Sequence, residues 1–167
     1  MKIFLIGFMG SGKTTIGKRL AQWMGYSFVD TDRFIEMWQD KTIAEIFAQH
    51  GESAFREMER NILLYLQNCD SMVISTGGGM PCHDDNMNLM LANAKVVYLK
   101  MSPQKLAQRL IDSHTERPLI MGKTEAKLHQ YITEELAKRE PFYNRANIVI
   151  QTEKYSTEEI IQIVVSC

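Results

Sequence analysis

Gly7-Phe8-Met9-Gly10-Ser11-Gly12-Lys13-Thr14 fits the pattern G-x-x-x-x-G-K-[ST], with Gly7, Gly12, Lys13 and Thr14 at the fixed positions. The residue types follow from the chemistry. Glycines let the backbone turn tightly and aim its N–H groups inward, and the N-terminus of the next helix adds positive potential to that concavity. The Lys13 ammonium can reach the β- and γ-phosphates of a nucleotide, and the Thr14 hydroxyl is a hard oxygen ligand suited to Mg²⁺. Context strengthens the match: residues 2–6 form a short apolar run that predicts a buried strand, and residues 13–24 carry Ile16, Leu20 and Trp23 at helical spacing.

Outward from this loop the same alternation continues. Residues 26–29, 72–75, 95–99 and 148–150 predict four more strands, and residues 33–38, 43–49, 52–67, 84–91, 103–110, 124–139 and 157–165 predict helices. Ser102-Pro103 opens one helix in the favoured order of cap and first-turn proline. Residues 112–123 are polar, aperiodic and contain Pro118 and Gly122, which reads as a loop. The expected fold is α/β, three-layered, with a five-stranded parallel sheet and helices on both faces. Ligands of such sheets bind at the carboxyl ends of the strands. The phosphate loop, Asp30-Thr31-Asp32 and Gly77-Gly78-Gly79 all fall there, so they should surround one crevice.

Composition narrows the function. Lys+Arg 19 against Asp+Glu 20 gives a net charge of −1 over 167 residues, so no global field draws nucleic acid or an anionic membrane. The apolar run at the N-terminus is too short for a signal peptide, and no stretch approaches the ~20 residues of a membrane span. Cys69, Cys82 and Cys167 are odd in number and lack metal or redox spacing, as in reduced, cytoplasmic proteins. His50, His83, His114 and His129 show no metal-ligand spacing either. Trp23, Trp38 and most of the 11 methionines read as packing residues, with Met9 close enough to the loop to touch substrate.

The loop alone does not separate kinases from GTPases or ATP-driven machines. No N-K-x-D guanine-reading sequence is present, and the third strand ends in Thr76 and glycines instead of an acidic metal partner. Asp30 is the candidate for that partner, holding Mg²⁺ through water, which favours a small-molecule kinase. Asp32 could then hold an acceptor hydroxyl and steer its proton, or simply cap the following helix. Arg56 reads as one charge in a solvated helix or as an acceptor contact. Three successive glycines at 77 to 79 suit close approach of a ligand to backbone N–H groups. Arg117, on the polar loop, can close over phosphates, and Arg139 can clamp a carboxylate in bidentate fashion.

Together these residues resemble the shikimate kinase family, in order and over nearly the whole chain. The resemblance rests on Ile6 to Thr15, Asp30-Thr31-Asp32, Phe55-Arg56-x-x-Glu59, Gly77-Gly78-Gly79, Arg117-Pro118-Leu119 and Arg139-Glu140-Pro141-Phe142-Tyr143. It implies a P-loop fold like that of nucleoside-monophosphate kinases, in one domain spanning 1–167. An acceptor segment would lie near 31–60 and a mobile lid near 111–124. It implies ATP-dependent phosphorylation of the shikimate 3-hydroxyl, on the route to chorismate and the aromatic amino acids, by a monomer. ATP would lie on Gly10, Ser11, Gly12, Lys13, Thr14 and Thr15, with Arg109 on the adenine and Arg117 in the lid. Shikimate would lie on Asp32, Arg56, Arg139 and the glycines 77 to 79, with Lys13, Asp32 and Arg117 catalytic and Mg²⁺ on Thr14 and Asp30. The lid has fewer arginines than many relatives, Phe142 replaces a usual leucine, and residues 151–154 offer no arginine to the adenine. A kinase for another polyol acid, such as gluconate, and a nucleotide sensor without catalysis are the alternatives.

Overall fold

A short hydrophobic strand, Lys2–Ile6 (β1), lies at the centre of a five-stranded sheet, and every one of its residues is buried. Its side chains alternate between two cores, as a strand with both faces covered requires. Phe4 and Ile6 enter one core, and Ile3 and Leu5 the other. The computed structural model describes residues 1–113 and 124–167.

The other strands are Ser27–Asp30 (β2), Met72–Ser75 (β3), Lys95–Lys100 (β4) and Ile148–Gln151 (β5). The spatial order is β2-β3-β1-β4-β5 and each neighbouring pair is parallel. Chain order and spatial order diverge at β1, so the carboxyl ends of β1, β2 and β3 open around one crevice. Helices Lys13–Met24 (α1) and Thr157–Ser166 (α7) pack on one face through Ile16, Leu20, Ile160 and Val164. Thr31–Gln39 (α2), Ile43–Leu66 (α3), Asn86–Asn93 (α4), Pro103–Asp112 (α5) and Glu125–Tyr143 (α6) supply the core on the other. The five parallel strands and two helical layers expected from the sequence are therefore present.

The differences have local causes. The helices expected at 43–49 and 52–67 form one element, kinked where Gly51 leaves helical geometry at φ 77° and ψ 175°. Glycine reaches that φ without a Cβ penalty, so the helix resumes beyond it. Helix α6 does not stop before Pro141 but continues to Tyr143. Tyr143 is fully buried, and tertiary packing outweighs the proline's missing donor. Asp30, not Asp32, caps α2, accepting from the Arg33 N–H at 3.4 Å and leaving Asp32 in the first turn. Ser102 caps α5 as expected. Met80, Met87 and Met90 fill the core, whereas Trp23 and Trp38 stand 59% and 62% exposed and are not packing residues. The short 3₁₀ turns at Met80–Cys82 and Thr152–Lys154 were not anticipated. Among the described residues, no helix is long and apolar enough to cross a membrane.

Candidate active site

At the carboxyl end of β1 the chain enters the phosphate loop through Gly7, Gly10 and Gly12, at φ 144°, 85° and 98°. Any L-residue would be strained there, and a Cβ on Gly7 would sit 2.8 Å from the Leu99 carbonyl. The loop is thus tight because β4 runs directly beside it. Lys13 opens α1 and its ammonium donates to the Gly7 and Phe8 carbonyls at 2.8 and 3.0 Å, lying across the loop. The Thr14 hydroxyl donates to Asp30 Oδ2 at 2.9 Å. These two oxygens, one from each of two adjacent elements, form a hard-oxygen pair at the edge of the loop. Arg109, exposed on α5, donates to the Gly10 carbonyl at 3.1 Å and so flanks the loop.

Across the crevice the three glycines after β3 form a floor. The Gly77 N–H donates to Thr31 Oγ1 at 2.9 Å, which ties the floor to the first turn of α2 and fixes where Asp32 stands. A Cβ on Gly77 would lie 2.5 Å from Asp32 Oδ1 and 2.9 Å from Glu59 Oε1. On Gly78 it would lie 3.1 Å from Arg139 Nη1, and on Gly79 2.7 Å from Arg56 Nη1. Each glycine therefore vacates the volume of one side chain, and a charged group takes its place. Two carboxylates and two guanidiniums converge on three residues of backbone.

The charges are held but not exhausted. Arg56 donates to Glu59 Oε2 at 2.7 Å and pairs with Glu52 at 2.9 Å. Arg139 pairs with Glu135 at 3.0 Å, and its guanidinium lies 5.2 Å above the Phe8 ring, a cation–π shelf supplied by the phosphate loop itself. Asp32 Oδ1 and Glu59 Oε1 are buried without a hydrogen-bond partner. Both oxygens therefore lack the donor that a buried acceptor ordinarily has. Burial, then the nearby Asp30 charge, pushes the Asp32 carboxyl up to about 6. Burial pushes Glu59 up to about 7, against the pull of Arg56. The Cys82 thiol, beside the same arginines, is pushed up to about 11 by burial, which disfavours the thiolate.

Of the residues the sequence singles out, Lys13, Thr14, Asp30, Asp32, Arg56, Arg139 and the glycine triplet come together around the crevice, and Arg109 flanks the loop. Arg117 and most of the expected lid lie outside the described residues. Glu59 had entered only as part of a motif, without a role. Its signal was available: it falls on the apolar face of α3 between Phe55 and Ile62, where a carboxylate has no reason to be unless it is used. Tyr143 and Phe8, whose contributions depend on tertiary packing, gave no such signal.

A phosphate loop facing a charged, glycine-floored pocket on a 2-3-1-4-5 parallel sheet defines a P-loop kinase acting on a small molecule. The family model for shikimate kinase matches residues 9–167. A shikimate kinase from Parabacteroides distasonis is 48% identical over 158 residues, 94% of this chain and 91% of that protein. One from Azobacteroides pseudotrichonymphae is 47% identical over 162 residues, 96% and 95% of the two chains. The crystal structure of shikimate kinase from Bacteroides thetaiotaomicron superposes with a TM-score of 0.94 at 39% identity, covering 99% of this chain and 97% of that one. That of the Acinetobacter baumannii enzyme in complex with shikimate gives 0.89 at 32%, covering 99% and 90%. A gluconokinase from Sinorhizobium meliloti gives 0.59 at 17%, which is a likeness of fold alone. This chain belongs to the shikimate kinase family.

Proposed function

We infer that the protein is a shikimate kinase, transferring the γ-phosphate of ATP to the shikimate 3-hydroxyl to give shikimate 3-phosphate and ADP, a step toward chorismate. The observation that carries this reading is the composition of the pocket opposite the phosphate loop. Two guanidiniums suit one carboxylate, and two orphaned buried carboxylate oxygens suit hydroxyl donors; shikimate carries both kinds of group on one ring. The gluconate alternative has only a shared fold behind it. A nucleotide sensor has no use for an acceptor pocket.

In this reading Arg56 and Arg139 bind the substrate carboxylate, with the charge-assisted, forked geometry that guanidinium offers. Asp32 accepts from the attacking hydroxyl and aligns it in line with the γ-phosphorus. A carboxyl raised to about 6 lies nearer neutrality than usual, which suits a group that receives a proton as the new P–O bond forms. Glu59 holds Arg56 in place, with its other oxygen buried under Gly77. Lys13 leaves the loop carbonyls for the phosphates and offsets the charge that spreads over the transferred group. The Thr14–Asp30 oxygen pair fits Mg²⁺, Thr14 directly and Asp30 through water. When bound, the ion would neutralise phosphate charge and orient the leaving group. On the resemblance alone, Arg109 is assigned to the adenine and Arg117 to a lid over the phosphates.

The test is direct. Purified protein incubated with ATP, Mg²⁺ and shikimate should yield shikimate 3-phosphate by mass spectrometry. If ATP binds but no phosphorylated shikimate forms, the reading fails.

A further inference from the structure

Tyr143, in the last turn of α6, lies one turn beyond Arg139 and so on the same face of the helix. It is fully buried, and its ring packs on that of Tyr98 with centroids 4.9 Å apart. Apolar packing alone would be served equally by phenylalanine, and a buried hydroxyl is costly unless it is bonded. The hydroxyl here donates to the Gly78 carbonyl at 2.5 Å, a contact spanning 65 residues of chain. The phenol is also within hydrogen-bonding reach of the Arg139 guanidinium. Burial pushes its pKa upward, so it remains a neutral O–H donor wherever the enzyme works.

The position of Gly78 gives that bond its consequence. A Cβ on Gly78 would have Arg139 Nη1 at 3.1 Å, the Gly7 carbonyl of the phosphate loop at 3.5 Å and the Tyr143 hydroxyl at 3.6 Å. The same Gly7 carbonyl accepts from Lys13 at 2.8 Å. Gly78 is thus where the acceptor floor meets the donor loop. A trans peptide is planar, with its C=O and the following N–H pointing in opposite directions. Pinning the Gly78 carbonyl therefore aims the Gly79 N–H as well. One hydroxyl holds both the floor's central peptide and the arginine above it.

We propose that Tyr143 is a positioning residue for the acceptor: its hydroxyl holds the Gly78 peptide and the Arg139 guanidinium in a fixed relation, and thereby sets the affinity for the anionic substrate. This rests on the shikimate kinase reading. The ring supplies packing, and the hydroxyl supplies alignment. Tyr98 provides the internal control, because it is equally buried but its hydroxyl donates to Glu140, at 3.5 Å, instead of to a glycine carbonyl.

Steady-state kinetics on Y143F, Y98F, R139A and the Y143F/R139A double variant test it, with thermal melts to verify folding. Y143F should raise the shikimate KM about tenfold, the effect of one lost hydrogen bond to a charged or buried partner, with the ATP KM within about twofold of wild type. Y98F should match wild type. The effects of Y143F and R139A should add only in part, because some of the tyrosine's effect runs through the arginine and the rest through the Gly78 peptide. A Y143F shikimate KM equal to wild type, equal rises for both substrates, or full additivity with R139A would overturn the proposal. Absence of shikimate turnover by the wild-type protein would instead overturn the functional reading, and the proposal with it.

Discussion

The two halves of the crevice are built by different means. The donor half is a single stretch of chain, Gly7 to Thr14, whose shape comes from backbone torsions that only glycine adopts freely. Lys13 is held on two loop carbonyls and Thr14 on Asp30, while the buried Ser11 hydroxyl lacks a partner. The acceptor half is assembled from α2, α3, α6 and the glycines after β3. It keeps two carboxylate oxygens buried and unpartnered. One half is a cradle of backbone, and the other is a set of charged side chains converging on a glycine floor. A phosphate can be recognised by backbone geometry alone, whereas choosing one acceptor among many small acids takes side chains from several elements.

The contrast predicts that damage to each half shows in different kinetic constants. Lys13→Ala removes the donor side's mobile charge and should lower kcat by about 10²- to 10³-fold while shikimate still binds. Isothermal titration with shikimate alone checks the second part. Comparable loss of shikimate affinity would mean that the halves are not separable. Gly77→Ala places a methyl 2.5 Å from Asp32 Oδ1 and 2.9 Å from Glu59 Oε1. Overpacking of that kind costs about 1–3 kcal/mol, so the shikimate KM should rise about 10- to 100-fold, with ATP binding little changed. An unaltered shikimate KM would show that the carboxylates move aside without consequence.

The smallest effect concerns stability. Glu59, pushed up to about 7 by burial, keeps a proton in the native state that the unfolded chain gives up near the ordinary 4.5. Its contribution to stability is therefore intact below about pH 4.5 and is lost progressively as pH rises to about 7. Without substrate, the Tm of wild type should fall between pH 5 and pH 7 by at least about 2 °C more than that of Glu59→Gln, which cannot titrate. Parallel melting curves would contradict the upward shift that burial imposes on that carboxyl.

The same contrast explains what the sequence made legible. The donor half could be read almost completely, because contiguous residues encode its chemistry and strand-helix context confirms it. The five parallel strands followed from short apolar runs separated by helical periods. Asp32, Arg56 and Arg139 were visible as candidates, but each had an ordinary reading as a cap or a solvated charge until the fold brought them over one glycine floor. The glycine triplet hinted at close approach without saying of what. Its neighbours turn out to be four charged side chains. Tyr143 was hidden because Pro141 implied that α6 ends earlier, and only packing against Tyr98 and the Gly78 carbonyl carries the helix onward. The two tryptophans erred in the other direction: large apolar side chains usually pack, but these two stand at the surface.

On the proposed reading, the acceptor half selects an acid of shikimate's shape and charge, not polyol acids in general. Turnover of shikimate and of gluconate, each at saturating ATP and Mg²⁺, tests it most directly. The kcat/KM for shikimate should be at least about 10³-fold above that for gluconate, as expected when several buried polar contacts are matched by one substrate and left unpaired by the other. Equal values, or a preference for gluconate, would contradict it.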